Sequence, residues 1–98
     1  MVRINWTLQS KSDLKQIADY ISLNSKRYAK LQVLRIKNKT HILRTHILIG
    51  KVVREIDNEK IRELIEGKYR IIYKVISKSQ IDILTIHHTA RDLTKRKI

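Results

Sequence analysis

The chain has 98 residues, with 22 Lys and Arg against nine Asp and Glu, a formal net charge of +13, and neither cysteine nor proline. So short a chain supports one small domain with a modest core, here residues 1–98, and the lack of cysteine excludes a disulfide framework and any cysteine-based metal site or nucleophile. The four histidines include no helical His-x-x-x-His pair beside a carboxylate, so neither zinc nor another cofactor is expected. No apolar run approaches the roughly 20 residues of a membrane span, and no apolar segment of signal-peptide length follows Met1. These features predict a soluble, cytoplasmic protein. The codon habit of an AT-rich genome enriches Lys, Ile and Asn, but an excess of basic over acidic residues this large implies a polyanionic partner: nucleic acid, an acidic protein, or both.

In chain order, Val2-Arg3-Ile4-Asn5-Trp6 alternates apolar and polar residues, the pattern of a half-buried strand. Thr7 or Ser10 can cap a following helix, with Asp13 in its first turn, where the helix dipole favours a carboxylate. Leu14, Ile17, Ala18 and Ile21 fall at i, i+3, i+4 and i+7, an amphipathic stripe. Ser22-Leu23-Asn24-Ser25 interrupts it, and Ser25 can cap a second helix running from Lys26 to about His46. The expected inner face of that helix is Leu31, Leu34 and Ile42 with Tyr28, the rest being basic. Trp6 is expected as a core or edge anchor, Tyr20 and Tyr28 as packing between the helices, and His41 and His46 as solvated. Gly50 marks the helix exit, Val52-Val53 an extended piece and Asp57-Asn58 a turn. Ile61–Glu66 reads as a short strand and Gly67-Lys68 as the tight link of a hairpin. The expected class is α+β: an N-terminal strand, a two-helix hairpin, then antiparallel strands forming a small sheet with the helices on one face.

The last hairpin carries the functional suggestion. With arms Tyr69–Ile76 and Ile81–His88, Ile76 faces Ile81, Arg70 faces His87 and Tyr69 faces His88, and opposed residues share a face with Cβ atoms about 5 Å apart. That register gathers Leu64, Ile71, Tyr73, Val75, Leu84 and Ile86 on an apolar face for the helices. Glu63, Arg70, Lys74, Thr85 and His87 fall on the other face among Ile65, Ile72 and Ile83, a mixture too charged to form a second full core. A weak Glu63–Arg70 salt bridge on a solvated surface explains this face simply. A phosphodiester site explains it functionally: Arg70 would stabilise charge developing at phosphorus while His87, His88 or Glu63 moves protons. Lys68, Lys74 and Arg91 would join Arg70 in holding a target or nucleic acid. Lys95-Arg96-Lys97 reads as a frayed terminus or a phosphate contact.

Several segments taken together resemble the RelE/ParE superfamily of type II toxin–antitoxin toxins. They are Ile4-Asn5-Trp6-Thr7, Asp13-Leu14 with Ile17 and Tyr20-Ile21, Gly50-Lys51-Val52 with Glu55, Ile61-Arg62-Glu63-Leu64, Gly67 through Val75, and His87 through Leu93. The resemblance implies a toxin from a plasmid-stabilisation or addiction module, neutralised in a hetero-oligomer by an antitoxin whose extended, acidic C-terminal segment wraps helices and sheet. In this superfamily RelE-like members cleave mRNA on the ribosome with an arginine at the position matching Arg70, whereas ParE-like members poison DNA gyrase. RelE-like toxins carry lysines on the strand where this chain has Ile61 and Glu63, and a C-terminal tyrosine where this chain has none after Tyr73. Those departures, with the Trp6-Thr7 opening and the Ala90-Arg91-Asp92 end, point to the ParE-like branch and to gyrase. The alternative is a RelE-like mRNA endoribonuclease using Arg70 with His87 or His88.

Overall fold

Strand β1 (Arg3–Trp6) half-buries Ile4 and Trp6 while Arg3 and Asn5 face solvent, as its alternation requires. In the computed structural model, residues 1–91 and 93–95 are described; Asp92 and the basic tail beyond Lys95 lie outside the described residues. Thr7 leaves the strand with extended backbone and caps α1 (Leu8–Ser22), its hydroxyl accepting from Ser10 N at 3.2 Å, a cap worth about 1 kcal/mol. Ser25 caps α2 (Lys26–Lys39) in the same way, accepting from Tyr28 N at 3.0 Å. The second helix stops being α-helical at Lys39, earlier than its composition suggests, and tightens into a 3₁₀ turn over Thr40–Arg44. There the Thr40 hydroxyl donates to the Lys37 carbonyl at 2.7 Å, a side-chain bond that competes with continued helix.

The remaining strands are β2 (Lys51–Val52), β3 (Ile61–Glu66), β4 (Tyr69–Ser77) and β5 (Gln80–His88). The sheet runs β1-β5-β4-β3-β2. β1 lies parallel to β5, a pairing that needs a long crossover, and the helical hairpin forms part of that connection. All other pairs are antiparallel. Gly67, at φ 58°, supplies the left-handed turn between β3 and β4, so Glu66 pairs with Tyr69 and Ile65 with Arg70 as the two-residue link implies.

The β4–β5 register follows the expected one only from Tyr69 to Ile72, with Arg70 opposite His87 and Tyr69 opposite His88. Tyr73 then pairs with Ile83 instead of Leu84, Val75 rather than Ile76 pairs with Ile81, and the ladder regains its first register at Ser77–Gln80. Two irregularities thus offset one another, leaving Leu84 on β5 and Ile76 on β4 as extra residues. The first sits where β1 hands over to α1: the Thr7 hydroxyl donates to the Ile83 carbonyl at 2.7 Å, with the Leu84 carbonyl 3.1 Å away. A one-residue slip exchanges faces. Ile83 therefore joins the helix-facing core with Leu14, Ile36, Leu43, Ile71, Tyr73 and Ile86, while Leu84 packs on the opposite side.

Four further expectations are corrected. The inner face of the second helix is Ala29, Gln32 and Ile36, continued by Thr40 and Leu43; Leu31, Leu34, Ile42 and Tyr28 are exposed. Tyr20 and Tyr28 do not pack between the helices, being 74% and 48% exposed. Asp13 is not in the first turn of α1 but deeper along it and buried. There its carboxylate accepts from the Thr85 hydroxyl, from Ile86 N at 3.1 Å and from Gln9 Nε2 at 2.9 Å, joining helix to sheet. The outer face of the sheet, expected to be a solvated surface or a cleft and not a second full core, holds a small core: Val53, Ile72 and Leu93, ringed by Ile56, Ile61 and Leu84. The segment after β2 folds over the sheet and makes this burial possible.

Candidate functional site

Two clusters hold the chemistry-bearing side chains, on different parts of the sheet. The first centres on Arg70, whose side chain is only 12% exposed. Its Nη1 and Nη2 donate to the two carboxylate oxygens of Glu55 at 2.7 and 3.0 Å, and its Nε and Nη2 donate to Glu63 Oε2 at 3.0 and 2.5 Å. The planar guanidinium suits such forked pairing. Hydrogen bonding to Arg70 holds the Glu55 carboxyl down at about 2, and the same bond raises the guanidinium above its ordinary range, so it is a cation at any relevant pH. With two carboxylates on one guanidinium, the cation has no side of its fork left for a phosphate.

The second cluster surrounds a cleft of about 910 Å³ between the helical hairpin and the end of the sheet at the β3–β4 turn. Tyr20 from α1, Tyr28, Gln32 and Arg35 from α2, Lys68 from the turn and Arg91 beyond β5 border it. Tyr69 forms part of the wall, its ring edge-on to His88 with centroids 5.4 Å apart and planes at 86°. Burial raises the Tyr69 hydroxyl above its ordinary pKa, so it stays a neutral hydrogen-bonding group. His88 Nδ1 accepts from Ala90 N at 3.0 Å, and His87 Nε2 lies 3.0 Å from the Arg91 carbonyl, so both rings shape the backbone turn after β5. Gln32 is buried, and its Nε2 has no hydrogen-bond partner among the described residues. The cleft therefore offers aromatic surface and cations at its rim, with the Gln32 amide nitrogen buried behind its wall.

A family model for the ParE toxin of the type II toxin–antitoxin system parDE matches residues 4–93. The chain belongs to the ParE toxin family. Its fold is similar to that of a chain in the solved structure of a chromosomal ParDE toxin–antitoxin system from P. aeruginosa. The two share a TM-score of 0.73 and 25% identity over 90% of this chain and 96% of that one. None of the curated proteins matches the chain.

In this ParE-family toxin the residues singled out from the sequence are not assembled into one site. Arg70 and Glu63 share the Glu55 clip; His87 opposes Arg70 in the ladder and engages the turn at Arg91; Lys68, His87, His88 and Arg91 border the cleft. Lys74 stands apart, between Ile61 and Asp82 in the sheet register. Glu55, Arg35 and Gln32 were not legible as site residues. Glu55 lies in an irregular segment whose path no periodicity sets, and Gln32 and Arg35 occupy helix positions that the exposed leucines Leu31 and Leu34 misdirect. Among the described residues no group of His, Asp and Glu is arranged to hold a metal ion, and no helix is long and apolar enough to cross a membrane.

Proposed function

We propose that this ParE-family toxin is neutralised by a cognate antitoxin whose acidic, amphipathic C-terminal segment lies in the cleft, and that it arrests growth by acting on DNA gyrase. The observation that carries the antitoxin reading is the cleft's make-up. Tyr20, Tyr28 and Tyr69 offer apolar surface with polar tips. Arg35, Lys68 and Arg91 supply cations for carboxylates. Family membership supports gyrase as the target. The Arg70 clip does not favour the endoribonuclease alternative, because a guanidinium bridging Glu55 and Glu63 is not free to meet a scissile phosphate.

Two experiments test the reading. The antitoxin expected from the neighbouring reading frame should bind the toxin tightly, and the double substitution Lys68→Glu and Arg91→Glu should weaken that binding by at least tenfold in calorimetry. Unchanged affinity would remove the cleft from the proposal. For the target, saturating purified toxin should block supercoiling by gyrase and trap cleaved DNA. Normal supercoiling, together with cleavage of ribosome-bound mRNA in arrested cells, would replace gyrase by the ribosome.

A further inference from the structure

We infer that the flank of α2 facing away from the cleft is a non-specific binding surface for the phosphate backbone of duplex DNA, separate from the antitoxin cleft. Between Asp19 and Glu55 the chain contains no acidic residue but nine Lys and Arg. Among the described residues the ion pairs are those of Arg70 with Glu55 and Glu63, so none of these nine cations is neutralised by a pair. At 3.6 residues per turn, Lys26, Lys30 and Lys37 fall within about 40° of one another around the helix axis. All three are exposed. Arg35 and Tyr28, which border the cleft, lie on the opposite flank.

The 3₁₀ turn prolongs this stripe. Thr40 and Leu43 are buried three residues apart, so at about three residues per turn the exposed Arg44 falls to the stripe's side of the axis. Arg27, also exposed, borders the stripe at its beginning. From Lys26 to Lys37 the axial distance is about 16 Å at 1.5 Å per residue. A strand of B-DNA carries a phosphate about every 3.4 Å of axis, so this length spans about five phosphates; Lys26, Arg27, Lys30 and Lys37 lie within it and Arg44 extends the row beyond its end, making five cations in all.

Duplex DNA fits this flank better than a protein does. Lysine is depleted from specific protein interfaces, whose energy comes from buried aromatic and apolar anchors. A row of lysines on a straight helix instead presents point charges to a regular polyanion and releases its counterions. The surface does not depend on which target the toxin acts upon, and it would concentrate the toxin on DNA by charge alone.

The test is fluorescence anisotropy of a labelled random-sequence duplex titrated with the full chain across a salt series. With about five phosphate contacts, the slope of log K against log salt should be about −4.5, so affinity should fall several-hundredfold between about 50 and 200 mM salt. The triple variant Lys26→Ala, Lys30→Ala, Lys37→Ala should bring the slope to about −2, while Lys68→Ala with Arg91→Ala should leave it near the wild-type value. Circular dichroism and the melting temperature establish that both variants are folded. The inference is overturned if the triple variant keeps the wild-type slope or if the cleft variant loses as much of it. Capture of the chain by phosphatidylserine vesicles without binding to the duplex at low salt overturns it as well.

Discussion

Glu55 and Arg70 meet through two parallel hydrogen bonds, Nη1 to Oε2 at 2.7 Å and Nη2 to Oε1 at 3.0 Å, which pin the segment after β2 onto the outer face of the sheet. Because Val53 and Ile56 of that segment cover Ile72 and Leu93, the ion pair and the small outer core stabilise one another.

The pair predicts an acid-dependent loss of stability. The folded Glu55 carboxyl titrates at about 2 instead of its ordinary 4.5. A depressed carboxyl pKa contributes stability that is present above the unfolded value and is lost as pH falls through the folded one. The contribution should be complete above about pH 4.5 and gone by about pH 2. Glu55 is largely solvent-facing, which limits its size to about 1 kcal/mol. Urea unfolding of Glu55→Gln should show the deficit at neutral pH and converge with wild type at the acid end. A deficit of constant size at every pH would assign the loss to packing instead.

Arg70→Ala should destabilise the fold by about 2 kcal/mol, because it leaves the Glu55 and Glu63 carboxylates facing each other without a cation. Arg70→Lys should recover less than half, since an ammonium cannot bond both carboxylates in the forked geometry. Thermal unfolding followed by circular dichroism measures both. Reduced toxicity of Arg70→Ala in cells is then to be judged against its soluble level. A variant that is fully folded and yet inactive would give Arg70 a direct part in target engagement.

Tyr73 is fully buried, its hydroxyl donating to the Ile47 carbonyl at 2.8 Å and accepting from Gly50 N at 3.0 Å. Tyr73→Phe strands both backbone groups, at a cost of about 1–3 kcal/mol. Gly50→Ala should be at least as damaging. A Cβ there would lie 2.6 Å from the Glu63 carbonyl and 2.7 Å from the Tyr73 ring, and a backbone carbonyl in a strand cannot step aside. Denaturant midpoints should place both variants well below wild type; a neutral Gly50→Ala would mean that the loop approaches β3 less closely.

Asp13→Ala should cost about 2–3 kcal/mol, because it leaves the Ile86 N–H and the Thr85 hydroxyl, both in the sheet's interior, without their acceptor. Asp13→Asn retains one oxygen and should cost less. Hydrogen exchange at Ile86 reads the bond directly and should speed up in Asp13→Ala while amides in β3 stay protected; equal acceleration throughout would indicate a global rather than a local loss.

Local signals carried most of the architecture. Alternation placed β1, the stripe from Leu14 to Ile21 placed α1, the serine and threonine caps placed both helix starts, and Gly67-Lys68 set the β3–β4 register, because each depends on residues close together in the chain. Order and spacing of whole segments were also enough to indicate the family. Tertiary structure alone decided the rest. The slip that sends Ile83 inward and Leu84 outward depends on Thr7, 76 residues away, bonding to the β5 backbone. Which face of α2 is buried depends on where the sheet lies. Exposed Leu31 and Leu34 gave a false periodicity, while Gln32 is buried by its neighbours and not by its polarity. The pairing of Arg70 with Glu55 required the path of a loop that has no period of its own. Charge was legible from composition, but separating it into a clipped arginine, a cleft rim and a helix flank took the fold, because electrostatic roles are set by distances in space and not by spacing along the chain.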